Sequence, residues 1–218
     1  CIKQMQKIAN SGKTVLFVSH QMTTIENLCK TALLLDEGNI IFSGKTADVV
    51  SSYRLNMGNS NNVSLKERTK RDGNGNCKLI DFEILDETDQ VCDSLFCGKP
   101  ATIRMSFEIY NKLIDPMSLS LGISTPNQTR IAHLCMKTFG MKIEIPSQNT
   151  FDILLKLPKV ELNQGQYFVT TFLDDESGKI IDWVSEAFEL KVLQSDFYGT
   201  GMIPSPDKST FLMEHSFN

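Results

Sequence analysis

The nine residues Thr102-Ile103-Arg104-Met105-Ser106-Phe107-Glu108-Ile109-Tyr110 alternate polar and apolar side chains without a break. This is the pattern of a strand with one face in a core and the other in water. A helix cannot use it, because side chains two apart point to different sides of a helix. The same period recurs over residues 79–85, 117–124, 150–157, 166–174 and 187–193, with Gly, Pro, Asn or Asp between the runs. Shorter candidates at 130–134, 179–183 and 210–215 raise the count to eight or nine strands, which predicts an all-β, immunoglobulin-like antiparallel sandwich.

The first quarter of the chain has a different rhythm. Ile2, Met5, Ile8 and Ala9 mark one face of a short helix, and residues 14–18 form a continuous apolar run. That run suits a strand covered on both sides in a parallel α/β sheet. After His20 the helical spacing returns at Met22, Ile25, Leu28 and Cys29. Apolar runs at 32–35 and 40–42 then flank Asp36-Glu37-Gly38-Asn39, the composition of a hairpin turn. Thr46 is placed to cap a last helix carrying Val49, Val50 and Tyr53. Residues 58–76 contain five asparagines, three glycines and a basic cluster, with almost nothing to bury. Structureless loops of that length are uncommon inside one compact fold. The predicted organisation is an α/β fragment over 1–57, a polar linker over 58–76 and a β-sandwich over 77–218.

Composition excludes several classes of function. A net charge of −4 gives no general attraction to nucleic acid, and no apolar run reaches the length of a membrane span. Residues 1–5 do not read as a signal peptide, so the chain is expected to be cytosolic. The six cysteines form no CxxC pair and have no histidines at metal-ligand spacing, so no metal site is expected.

In open α/β sheets ligands bind beyond the carboxyl ends of the strands, where His20 falls. Position alone leaves it either a functional group or a surface histidine bonded to nearby backbone. The wider context is Gly12-Lys-Thr-Val-Leu-Phe-Val-Ser-His20, a helix, and Leu34-Leu-Asp-Glu-Gly-Asn-Ile-Ile-Phe-Ser-Gly44. Together these closely resemble the end of an ABC transporter nucleotide-binding domain, over residues 1 to about 54. The resemblance implies that His20 is the switch histidine, contacting the γ-phosphate of ATP and helping to place the attacking water. A neutral imidazole suits that role because it donates one hydrogen bond and accepts another. The phosphate loop, the LSGGQ-like signature and the apolar strand ending in Asp-Glu are missing. In the family they precede the residues seen here. The chain therefore reads as the C-terminal part of a longer protein: ATP and magnesium are cofactors of the full-length ATPase, and this fragment alone is expected to be inactive.

The second half narrows the resemblance. Asp48-Val-Val-Ser-Ser-Tyr53, Phe82-Glu-Ile-Leu85, Gly98-Lys-Pro-Ala-Thr-Ile-Arg104, Leu121-Gly-Ile-Ser124 and Leu162-Asn-Gln-Gly-Gln-Tyr167 resemble the ATP-binding subunits of polysaccharide and O-antigen exporters of the Wzt type. Those subunits carry a carbohydrate-binding C-terminal domain. Several of these motifs answer equally to sandwich physics: Gly98 and Pro100 set a turn, and Tyr167 can fill the core. The resemblance implies a homodimer, a transmembrane permease partner, a polysaccharide substrate and a place on the cytoplasmic face of a bacterial inner membrane. Sugar recognition needs aromatic faces against C–H surfaces and polar groups for hydroxyls. Residues of those types are Trp183, Tyr110, Asn127, Gln128, Arg130 and His133, although Trp183 also suits a core and Asn127-Gln128 an ordinary turn.

The alternative is a sandwich that serves dimerisation or regulation of the ATPase without sugar contact. A hydrolase is the poorer reading. Asp174-Asp175-Glu176 follows a strand as a solvated turn would, and three scattered histidines support no catalytic triad. The tail from Phe197 to Phe217 regains apolar character after Pro204 and Pro206 and is expected to form a late strand; the resemblance implies that it can be exchanged between subunits, and the alternative is that it pairs in its own sandwich or stays frayed.

Overall fold

The computed structural model describes residues 14–19, 22–36, 38–59 and 64–216. The chain divides into two compact units, residues 1–62 with 126–129, and residues 63–125 with 130–218.

In the first unit α1 (Met22–Leu28) precedes a hairpin of β1 (Thr31–Asp36) and β2 (Asn39–Lys45), and α2 (Thr46–Asn59) follows. The hairpin closes through Asp36↔Asn39 with Gly38 at φ +81°. Only a residue without Cβ takes that left-handed backbone at no cost. The α2 helix buries Val49 and Val50, as their spacing predicts. Thr46 is the first residue of the helix. Its hydroxyl donates to the Cys29 carbonyl at 2.7 Å, tying the start of α2 to the end of α1. The helix expected over 2–10, and His20 itself, lie outside the described residues.

The strand expected over 14–18 is not formed. Residues 14–19 are irregular, and Leu16 and Val18 are 90% and 95% exposed. A strand holds only where a neighbour takes up its backbone N–H and C=O groups, and no described strand pairs with this one. Among the described residues the expected parallel α/β layer is therefore an antiparallel hairpin with two helices.

The second unit contains β3 (Cys77–Leu85), β4 (Val91–Cys92), β5 (Leu95–Phe96), β6 (Ala101–Ile109), β7 (Met117–Ser124), β8 (Arg130–Cys135), β9 (Thr150–Leu157), β10 (Gly165–Asp175) and β11 (Ile180–Leu193). They form two sheets, β5-β11-β10-β7-β8 and β4-β3-β6-β9. The inner faces share one apolar core. Phe82 of β3 stacks on Phe188 of β11 across it, with ring centroids 4.1 Å apart. Tyr167 fills the core, and its hydroxyl donates to the Asn163 carbonyl at 2.8 Å.

Three details depart from the sequence expectation. The pairing is not antiparallel throughout, because β5 runs parallel to β11. The chain crosses from one sheet to the other within Asp93-Ser94, and a two-residue edge strand loses little from slanted parallel bonds. The runs at 179–183 and 187–193 are one strand, β11, interrupted by a bulge where Glu186 sits at φ +46°. The tail forms no full strand. A single bridge joins Phe211 to Leu162, and Leu212 N donates to Glu161 O at 2.7 Å, so the tail packs on its own domain.

Most of the expected linker is part of this unit. Leu65 is buried in the core, and Asp72 exchanges two backbone hydrogen bonds with Trp183, closing a free edge of β11. Gly73 is required there, since a Cβ would lie 2.5 Å from the Ile181 carbonyl oxygen. The anchor is Arg71. Its Nη1 reaches both Asp182 carboxylate oxygens at 3.1 and 3.2 Å, and its Nη2 donates to the Leu65 and Leu79 carbonyls at 2.7 and 3.1 Å. The two side chains are 7% and 2% exposed.

Removing one partner of a buried ion pair strands the other charge. Arg71→Met and Asp182→Asn are each expected to destabilise the chain by about 3–5 kcal/mol. The double change Arg71→Met with Asp182→Leu is expected to cost clearly less than either single change. Urea unfolding followed by circular dichroism measures all three, and a double variant as weak as the sum of the singles would contradict the assignment.

Candidate functional site

The outward positions of β10 carry Phe168, Thr170 and Phe172, and those of β7 carry Ser118, Ser120, Gly122 and Ser124. Cross-strand register places them in rungs on the outer face of the five-stranded sheet. One rung runs Trp183–Phe172–Ser120–Cys135 from β11 to β8. The next holds Thr170, Gly122 and His133, and a third brings Glu189, Phe168 and Ser124 up to Arg130, where β8 bulges by a residue. Trp183 packs its edge on Phe172, with centroids 5.9 Å apart, and remains 38% exposed. The face thus has an aromatic side, a floor of small hydroxyls and a cationic side.

The floor is low for a reason. A Cβ on Gly122 would lie 1.5 Å from Arg130 Nη1 and 2.1 Å from its Cζ, so the guanidinium rests directly on the backbone of β7. Arg130 Nε donates to Ser124 Oγ at 3.1 Å, which fixes the plane of the group. At the other end of the face Asp174 stands opposite Ser118 and accepts from Lys137 Nζ at 2.5 Å. Next to them is a cleft of ≈ 420 Å³ lined by Pro116, Ser118, Lys137, Met141 and Glu176 among others. The Ser118 hydroxyl is buried without a partner.

The six candidates read from the sequence divide accordingly. Trp183, Arg130 and His133 share the outer face described above. Asn127 and Gln128 lie in the turn after β7, with Gln128 at φ +60°. Tyr110 is not brought to that face, because it follows β6 of the four-stranded sheet. Its hydroxyl donates to Glu108 at 2.6 Å, and the Lys78 ammonium sits 5.0 Å from its ring centroid. Sequence reasoning missed Phe168, Phe172 and the small-residue floor. The signal was present in Met117-Ser-Leu-Ser-Leu-Gly-Ile-Ser124, where every outward position is Ser or Gly.

No group of three His, Cys, Asp or Glu among the described residues is arranged to hold a metal ion. Cys135, on this face, stands out among the described thiols. The Ser120 hydroxyl, followed by backbone donors and Lys137, holds its pKa below the usual thiol value, whereas burial pushes Cys77 up to about 12. More thiolate at neutral pH means faster alkylation. Iodoacetamide followed by peptide mass spectrometry is expected to label Cys135 well before Cys77. A ligand seated on the outer face is expected to slow that labelling, and an unchanged Cys135 rate under saturating ligand would place the ligand elsewhere.

A family model described as the Wzt C-terminal domain matches residues 68–203. The crystal structure of the C-terminal domain of Wzt superposes with a TM-score of 0.57 at 18% identity, covering 70% of this chain and 90% of that one, a likeness that carries the fold. The teichoic acids export ATP-binding protein TagH of Enterococcus faecalis is 28% identical over 122 residues, 54% of this chain and 27% of its own length. TagH of Bacillus cereus is 33% identical over 70 residues, 32% of this chain and 13% of its own. The ABC transporter protein AbcA of Aeromonas salmonicida is 28% identical over 83 residues, 37% of this chain and 27% of its own. The chain thus spans between about an eighth and about a quarter of the length of these relatives.

Proposed function

Because the chain belongs to the Wzt C-terminal domain family, we propose that it is the C-terminal part of the ATP-binding subunit of a polysaccharide ABC exporter, and that the outer face of its five-stranded sheet binds the glycan selected for transport. The observation that carries the second half is one rung. Trp183 and Phe172 offer an aromatic wall beside the Ser120 hydroxyl, with Thr170 and His133 in the adjoining rung. A sugar ring has the complementary surface, C–H groups on its faces and hydroxyls at its rim. Nothing in this arrangement calls for bond breaking. The pattern suits recognition, and the work of transport falls to ATP hydrolysis in the complete protein.

Relatives named for teichoic acid export support the broader class, an exported surface polymer. The same reading carries with it ATP and magnesium in the complete ATPase, a homodimer, a transmembrane permease and a position on the cytoplasmic face of the membrane. His20 is the γ-phosphate contact in this scheme. It leaves the tail, with exposed Met202, Ile203 and Met213, as the surface for the second reading, in which the domain contributes to dimerisation.

Two outcomes test the scheme. Trp183→Ala is expected to weaken binding of the exported polysaccharide by up to about ten-fold, the scale of one lost aromatic contact. Affinity electrophoresis of the 218-residue chain reads this, with thermal unfolding to confirm that the fold persists. Undiminished affinity would remove the outer face from glycan binding. In the complete exporter, His20→Ala is expected to stop transport and leave glycan binding intact; loss of both would contradict the separation of the two functions.

A further inference from the structure

We propose that Arg130, laid across Gly122 with His133 beside it, forms an anion subsite on this outer face, so that the polymer it binds carries a negatively charged substituent. The inference rests on the glycan reading and specifies its chemistry. Glycine weakens the interior of a strand and tends to stand where something must approach the backbone closely. Gly122 lies in mid-strand in β7, and what approaches it is the Arg130 guanidinium, whose Nη1, Cζ and Nε would lie 1.5, 2.1 and 2.8 Å from a Cβ at that position. The group is held flat by a single bond, from Nε to Ser124 Oγ.

Other arginines of the unit have carboxylate partners that Arg130 lacks. Arg71 is paired with Asp182 and Arg104 with Glu83, while no described carboxylate lies within ion-pair distance of Arg130. The carboxylates on the same face are also engaged, Glu189 by Gln166 Nε2 at 2.6 Å and Asp174 by Lys137. His133 stands directly opposite Gly122 on β8, on the same face of the sheet. A planar guanidinium offers two parallel N–H donors that match the oxygen pair of a carboxylate or a phosphate. The ligand class is therefore a glycan bearing one of those groups, recognised by the fork while its sugar ring rests toward Phe172 and Trp183.

The test uses the full 218-residue chain and three probes of matched length, an oligogalacturonate, a poly(glycerol phosphate) and a neutral dextran oligomer. Isothermal titration is expected to show one acidic probe binding at least about ten-fold tighter than dextran, and the winner tells carboxylate from phosphate. Arg130→Gln is expected to abolish that preference. Arg130→Lys, which keeps the charge without the fork, is expected to restore only part of it. Gly122→Ala, which lifts the guanidinium without removing it, is expected to reduce the preference as well; circular dichroism checks that each variant is folded. Dextran binding as tightly as either acidic probe, or a preference that survives Arg130→Gln, would overturn the subsite and leave the glycan reading standing. Binding of none of the three overturns the subsite too, and the Trp183→Ala experiment with the exported polysaccharide then judges the glycan reading separately.

Discussion

Arg71 and Asp182 form an ion pair inside the second unit, and three separate stretches of chain meet on it. Taking two charges out of water costs several kcal/mol per ion before any attraction between them is counted. Here the geometry offsets much of that cost: one guanidinium nitrogen bridges both carboxylate oxygens, another donates to the Leu65 and Leu79 carbonyls, and Leu79 N donates to Asp182 at 3.0 Å. Arg71 Nε is left buried without a partner, so the offset is incomplete. What the pair secures is position. It fastens β3, β11 and the segment before them together, and the residue after Asp182 is Trp183, whose backbone is bridged to Asp72. The aromatic wall of the candidate site is thus held from beneath by the core and from the side by the docked segment.

That pair also marks where the sequence stopped being legible. Residues 64–76 are rich in Asn, Gly and basic side chains, and such composition normally belongs to solvated linkers. The partner that turns Arg71 into an anchor is 111 residues away, which no local pattern reveals. Alternation placed some strands to the residue: β7 and β9 have the bounds their period predicts, and β6 lies one residue earlier than its run. The two-residue strands β4 and β5 are too short to have a period. The apolar run at 14–18 shows the opposite failure. Its residue types suit a strand, yet a strand is a property of pairing, and none of the described strands pairs with it. Among candidate site residues, Trp183, Arg130 and His133 were recognisable as chemical types, whereas their common face depends on register across four strands. Tyr110 follows β6 of the four-stranded sheet and does not share their face. Phe168 and Phe172 were hidden because an alternating reading of 166–174 expects polar residues on the outward face, and two phenylalanines there look like core residues.

The bulge in β11 belongs to the same design. Glu186 holds φ +46°, a conformation that residues with a Cβ take at a cost. It is braced from two directions: Arg68 Nη1 donates to its carbonyl at 2.9 Å, and its N–H donates to Thr170 Oγ1 at 3.2 Å. Bulges bend a strand, increase its local twist and re-aim the side chains on either side. This one lies between Trp183 and Glu189, so the two ends of β11 present their outward residues to β10 at different angles.

The two outer faces of the unit provide an internal comparison, since both belong to one chain around one core. On the four-stranded sheet charged and polar outward residues pair with one another or with the docked segment: Arg104 pairs with Glu83, Ser106 donates to Asp152, and Lys66 pairs with Glu108. That is how a sheet faces water. The outer face of the five-stranded sheet departs from it at each step, with Phe168, Phe172 and Trp183 where polar residues would serve, Ser and Gly along β7 where β-branched residues would pair better, and an arginine whose one bond within the face is to a serine hydroxyl. Each choice weakens the sheet as a solvent-facing surface, and together they give the face an aromatic side, a middle of small residues and a cationic side. Core packing does not explain the pattern, because these positions point away from the core. On the proposed reading, a polymer lying on this face would cover the aromatic rings and supply the charge that Arg130 lacks.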